Sequence, residues 1–141
     1  MSLNKLSGGN EMNANQSLLE HAANGNAEEL ENILQNGKFN IHEKDENGNT
    51  PLILAAMNDH PAAVRLLLQA GSFTHTTNKF GHNALIVASM MCSTEVVEII
   101  LEHSRKVSER TSPSIVALMC ANSLESQGCM DVAHLLRNNP G

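Results

Sequence analysis

GNTPLILAA, residues 48–56, has the layout of a helix start: a glycine, a threonine able to cap, a proline where the first turn tolerates one, then an unbroken apolar run. A worn copy, GHNALIVAS, begins at Gly81. The offset from Gly48 to Gly81 is a period of about 33 residues, and a fixed period of that size marks a repeat array rather than a single globular core. In the first of these copies Leu52 and Ala55 fall in one helix and Val64, Leu67 and Leu68 in a second. Leu85, Ala88, Val97, Ile100 and Leu101 repeat them one full period on. The i, i+3, i+4 spacing of Val64, Leu67 and Leu68 makes one apolar stripe, which a lone helix pair cannot bury, so each pair needs neighbours.

Two more copies flank this pair. From about Asn13, Leu19, Ala22 and Ala23 align with Leu52, Ala55 and Ala56, and NGNAEELENILQNG supplies a second helix ending at Gly37. That copy reads as one residue short between its helices and one long after Gly37, which restores the register at Gly48. The last copy, SPSIVALMCANSLESQGCMDVAHLLRNN, sets Leu118 and Ala121 one period beyond Leu85 and Ala88, with a short insertion around positions 126–128 before Val132, Leu135 and Leu136. The repeats are therefore bounded at about 13–46, 47–79, 80–112 and 113–139, one domain over 13–141. Residues 1–12, rich in Gly, Ser and Asn, read as a flexible tail or vector-derived segment. Pro61 opens a helix as Pro51 does, and Gly71 stands just past its end. The stretches after Gly37 and Gly71 read as extended, hairpin-like connectors, the second carrying Asn78 three residues before a glycine. The connector before residue 113 lacks the glycine and the histidine, and the sequence leaves open whether it forms a hairpin.

Composition narrows the class. A hydrophobic content of 41% with 17% charged residues suits a folded domain, and with no Trp or Tyr and three Phe the core must be built from Leu, Ile, Val, Ala and Met, which favours helices. Nine basic residues scattered among fifteen acidic ones, a net charge of −6, argue against nucleic acid. No apolar run approaches the roughly 18 residues that cross a bilayer, so no membrane partner is expected. Cys92, Cys120 and Cys129 cannot all pair with one another and no stretch of this sequence near its start sets a charged segment before an apolar one, so the expected setting is reducing and cytoplasmic, with the cysteines as small core fillers.

With the period, the Gly-x-Thr-Pro-Leu opening and the Ala55-Ala56 pair in place, the chain resembles the ankyrin-repeat family over about residues 13–139. The resemblance implies an all-α, ankyrin-type α-solenoid of about four stacked helix-turn-helix repeats with short hairpin-like connectors. Ile53 and Ile86 stand where that family usually has His. His42 and His75 stand where an Asn usually pins the hairpin. The family's arrays are protein-binding scaffolds, which implies a protein partner held in the concave groove between hairpin tips and inner helices.

No catalytic motif accompanies the array: G-x-S-x-G, H-E-x-x-H, the phosphate-cradling lysine loop and G-x-G-x-x-G after a strand are all missing, and no enzyme activity or cofactor is expected. Zinc is not expected either, because eight residues separate Cys120 from Cys129 and six separate His75 from His82, outside the usual ligand spacings. The acidic run Glu28, Glu29 and Glu31 reads as a solvated face near a helix N-terminus. The expected partner-binding residues are Glu46, Asn47, Asn49, Met57, Lys79, Phe80, His82, Met90 and Met91, at the hairpin tips and the inner helices' open side. Apart from Met57 and Met90, which match one period apart, these positions diverge between the two best copies while the buried ones agree. The function expected is a monomeric adaptor; the alternative is a structural or targeting module of a larger protein whose activity lies elsewhere. Asn32 and Gln35 on one side and His134, Arg137, Asn138 and Asn139 on the other read as the polar ends of a finished array, which favours the adaptor.

Overall fold

The computed structural model of the protein describes residues 14–37, 39–106 and 127–138, in which seven helices and no strand occur. Each helix start shows how the sequence specifies it. Helix α3 (Pro51–Met57) follows Thr50, whose hydroxyl accepts the backbone N–H of Ile53 at 3.3 Å while Pro51 takes the first helical position, where no N–H partner is needed. Helix α5 (Ala84–Met90) lacks the Thr-Pro pair, yet Asn83 Oδ1 accepts the N–H of Ile86 at 2.9 Å. The worn copy therefore keeps the cap with a different side chain. Around these lie α1 (Ala14–Asn24), α2 (Ala27–Asn36), α4 (Pro61–Gln69), α6 (Thr94–Lys106) and α7 (Gln127–Arg137).

The helices form two layers. One runs α1–α3–α5 and the other α2–α4–α6–α7, with each inner helix also packed on its outer partner. The apolar stripe buried between them includes Leu52, Ala55, Val64, Leu67, Leu85, Ala88, Val97 and Ile100. Ala55 and Ala88 are both 0% exposed, as a close helix approach requires. Helix α7 extends the outer layer and buries Val132 and Leu136, which are the positions aligned with the outer helix of a fourth repeat. Three complete helix pairs and the outer helix of a fourth are thus described. The expected inner helix around Leu118 and Ala121, Cys120, the connector before residue 113 and the tail 1–12 lie outside the described residues.

The turns between paired helices correct the alignment of the first repeat. Gly25 and Asn26 donate to the carbonyls of Ala22 and His21, Asp59 and His60 to those of Ala56 and Ala55, and Cys92 and Ser93 to those of Ser89 and Ala88. Ala22 is therefore the counterpart of Ala56, one position more than a full period away, and Leu18, fully buried, is the counterpart of Leu52. The half-buried Leu19 is not. The first repeat is offset by one position through both helices rather than short between them. Two adjacent leucines sit about 100° apart on a helix, and which one faces the core is decided by packing, not by pattern.

All three turns pass through the left-handed region, at Gly25 (φ 71°), Asp59 (φ 58°) and Cys92 (φ 56°). Glycine is required at position 25 for a second reason: a Cβ there would lie 2.4 Å from the His60 ring. That ring crosses from the second repeat to the first, where the Ala23 carbonyl accepts from Nε2 at 3.0 Å, so Nε2 carries the proton. The expectation that the cysteines are simple core fillers also needs correction. Cys129 is buried on α7, but it is joined by a disulfide to the half-buried Cys92 in the α5–α6 turn, with the Cα atoms 4.6 Å apart. Partners at a sequence separation of 37 cannot be paired from spacing alone.

Candidate functional site

The connectors that carry the candidate site are two matching Asx-closed turns. Asp45 accepts the backbone N–H groups of Asn47 and Asn49 through Oδ1, both at 2.9 Å. Asn78, one period later, accepts those of Phe80 and His82 through its Oδ1 at 2.9 and 3.0 Å. Main-chain bonds close both turns, from Gly48 to the Asp45 carbonyl and from Gly81 to that of Asn78. The pinning residues are thus Asp45 and Asn78, not His42 and His75. A short Asx side chain two residues upstream of an N–H reaches it without strain. The two histidines instead flank Phe73, with ring centroids 4.3 and 5.4 Å from it.

Neighbouring connectors are bonded to each other as well. Asn78 Nδ2 donates to Asn49 Oδ1 at 2.9 Å, and Asn49 Nδ2 donates to Asp45 Oδ2 at 3.2 Å. The Lys79 N–H reaches the Asn47 carbonyl at 3.0 Å. Gly48 permits this approach: it holds φ 78°, and a Cβ on it would stand 3.0 Å from the Lys79 backbone nitrogen. The tips are consequently held in one relative position, and the amides beneath them are satisfied within the protein.

A groove of about 320 Å³ opens between these tips and the inner helices. Seven of the nine residues expected at the partner face line it: Asn47, Asn49, Phe80 and His82 from the connectors, and Met57, Met90 and Met91 from the ends of α3 and α5. Glu46 and Lys79 do not line it; they stand exposed on the turn tips. Asn49 lines the groove but is buried, with both ends of its amide engaged by Asp45 and Asn78. Phe80 is 68% exposed and Met91 57%, and the Phe80 and His82 rings lie 6.3 Å apart. Sequence reasoning missed Val87 and Asn78 as lining residues. The recurrence of an Asx residue three positions before Gly48 and Gly81 is the signal that identifies the latter.

Chemically the groove is an apolar slot with a polar rim. Its thioethers, aromatic ring and valine offer dispersion contacts, and unbranched Met side chains adapt to the shape of what enters. His82 is its one titratable lining side chain among the described residues. Among the described residues no group of three or more His, Cys, Asp or Glu is arranged to hold a metal ion. No helix among them is long and apolar enough to cross a membrane.

Comparison with known proteins agrees with this architecture. The family model described as Ankyrin repeats (3 copies) matches residues 18–111. Over 67 residues, 48% of the chain, the sequence is 39% identical to the NAD-capped RNA hydrolase NUDT12 of Homo sapiens. The same proteins of Pongo abelii and Macaca fascicularis match with the same identity and extent. The matched stretch spans only 14% of the length of these relatives.

Proposed function

The chain belongs to the ankyrin-repeat family, and from that premise we propose that it is an adaptor that receives an apolar side chain of a protein partner in the groove between Phe80 and Met91. Ankyrin repeats are interaction modules, so the role assigned to this chain is binding and not catalysis. The observation that carries the reading is the coincidence of exposed Phe80, Met90 and Met91 with a floor in which the amides of Asn49 and Asn78 are already bonded to each other and to Asp45, so that an apolar group entering between the tips gains burial without displacing them. Glu46, Asn47 and Lys79 form the polar rim on this reading, and the protein acts as a monomer in the cytoplasm.

A second reading is favoured by one comparison. The match to a short part of much longer hydrolases supports an ankyrin module within a larger protein whose activity resides elsewhere. The full-length gene distinguishes the two readings. The groove itself is tested by capturing partners with the parent protein and with Phe80→Ala and Met91→Ala variants, then mapping crosslinks. Partners that depend on both side chains, with crosslinks at residues 46–57 and 79–91, support it. Equal capture by all three proteins, or crosslinks confined to the outer helices around Glu31, Arg65 and Glu98, refutes it.

A further inference from the structure

We propose that Cys92 and Cys129 are a reversible thiol–disulfide pair that locks α7 onto the α5–α6 turn, making the attachment of this helix responsive to redox poise. Their Cα atoms are 4.6 Å apart, a span that a disulfide bridges without backbone movement. The turn that presents Cys92 does not depend on the bond. Its left-handed φ of 56° recurs at Asp59 and Gly25, which occupy the same turn position in the other repeats and have no sulfur. The Cys92 side of the site is therefore formed by the turn itself and not by the bond. Burial of Val132, Ala133 and Leu136 places one face of α7 on the array, and the disulfide adds a covalent tie from the same face.

The two sulfurs differ in access, which sets the order of exchange. Cys92 is half-buried and Cys129 is only 2% exposed. A low-molecular-weight thiolate such as glutathione attacks the Cys92 sulfur, forming a mixed disulfide there, and Cys129 leaves as a thiolate that takes up a proton. A second thiolate attacks the external sulfur of that mixed disulfide and releases Cys92. The sum is two external thiols and one protein disulfide giving one external disulfide and two protein thiols. Closure is the reverse reaction, with the oxidised low-molecular-weight disulfide accepting the two electrons. In the reducing cytoplasm proposed above, the pair is open and oxidation closes it. Met91, which lines the groove, immediately precedes Cys92. An oxidised lock therefore also stiffens that edge of the groove, a consequence that rests on the binding reading.

The test is hydrogen exchange of the full chain in glutathione buffers of varied poise, with alkylation and peptide mapping of the thiols at each poise. The expected result is a Cys92–Cys129 linked peptide that forms and disappears reversibly. Exchange across Gln127–Arg137 should be slower in the linked form by roughly 600-fold, the effect of closing a loop of this length. Exchange in α3 and α4 should change little. Cys92→Ser should exchange like the reduced parent in every buffer, and because the reduced parent supplies the same comparison, the outcome does not depend on that variant folding. Linkage of Cys129 to Cys120, free thiols at every poise, a link that glutathione cannot reopen, or equal α7 exchange in both forms overturns the proposal. Each of these readouts is independent of partner capture, so a failed groove leaves the lock testable.

Discussion

Replacing Asn78 with alanine removes the side chain on which two connectors depend. Its amide oxygen accepts the Phe80 and His82 N–H groups, and its amide nitrogen donates to Asn49 Oδ1. Three bonds at about 1 kcal/mol each give a loss of about 3 kcal/mol. The Asn49 oxygen left behind is buried and without its donor, which keeps the cost from falling below that figure. For a domain of this size the melting temperature should fall by roughly 10 °C. Urea denaturation monitored by circular dichroism measures the free energy directly. Asn47→Ala is the control, since Asn47 is exposed and contributes its backbone, not its side chain, to the connector bonds; it should cost under about 0.5 kcal/mol. The bond between the two amides can be isolated by adding Asn49→Ala. The double variant should cost about 1 kcal/mol less than the two single costs together, because the orphaned oxygen is gone. If Asn78→Ala is no worse than Asn47→Ala, or if the cycle is additive within about 0.3 kcal/mol, the connectors are not held by this network.

Four further outcomes are expected. Ala55→Leu should overpack the contact between α3 and its neighbours and cost roughly 1–3 kcal/mol in denaturation, whereas an unchanged melt would contradict the fully buried site. Thr50→Ala deletes the cap that accepts the Ile53 N–H and should cost about 1 kcal/mol, with Thr50→Ser restoring most of it; equal stabilities for Ala and Ser would deny the cap its role. Phe80→Ala should weaken partner binding by about 1–2 kcal/mol, roughly 5- to 30-fold, with little change in stability because the ring is exposed; an unaltered Kd by calorimetry removes it from the interface. The hydrogen bond from Lys106, and then its charge, hold the exposed Glu102 carboxyl below its ordinary value. The pair's contribution is therefore present at neutral pH and is lost as pH falls through the depressed pKa. Lys106→Ala should raise the Glu102 titration seen by NMR, and an unmoved titration refutes the pairing.

The repeat, the helix pairs and the buried stripe are legible in the amino-acid order alone, because they follow from interactions within a few residues. The Thr50 cap, the Pro51 start and the i, i+3, i+4 spacing of Val64, Leu67 and Leu68 are local, and recurrence at a fixed period multiplies them. Met57, Phe80, Met90 and Met91 are legible as groove residues through the family resemblance, which assigns hairpin tips and the open side of the inner helices to the groove; Met57 lines it while also packing against the core. Matters that depend on two elements at once were settled by packing instead. Leu18 and Leu19 are equivalent to pattern, and the fit of α1 against α3 chose Leu18 for the core. Asp45 and Asn78 became the pins because their oxygens reach N–H groups that the turn geometry presents, a condition that His42 and His75 do not meet three residues earlier. Asn49 changed from surface ligand to buried bracket because the next connector brings Asn78 to within 2.9 Å of it. Cys92 met Cys129 because α7 stacks on α6, and a contact between residues far apart in the chain is set by how whole helices pack, on which linear spacing is silent.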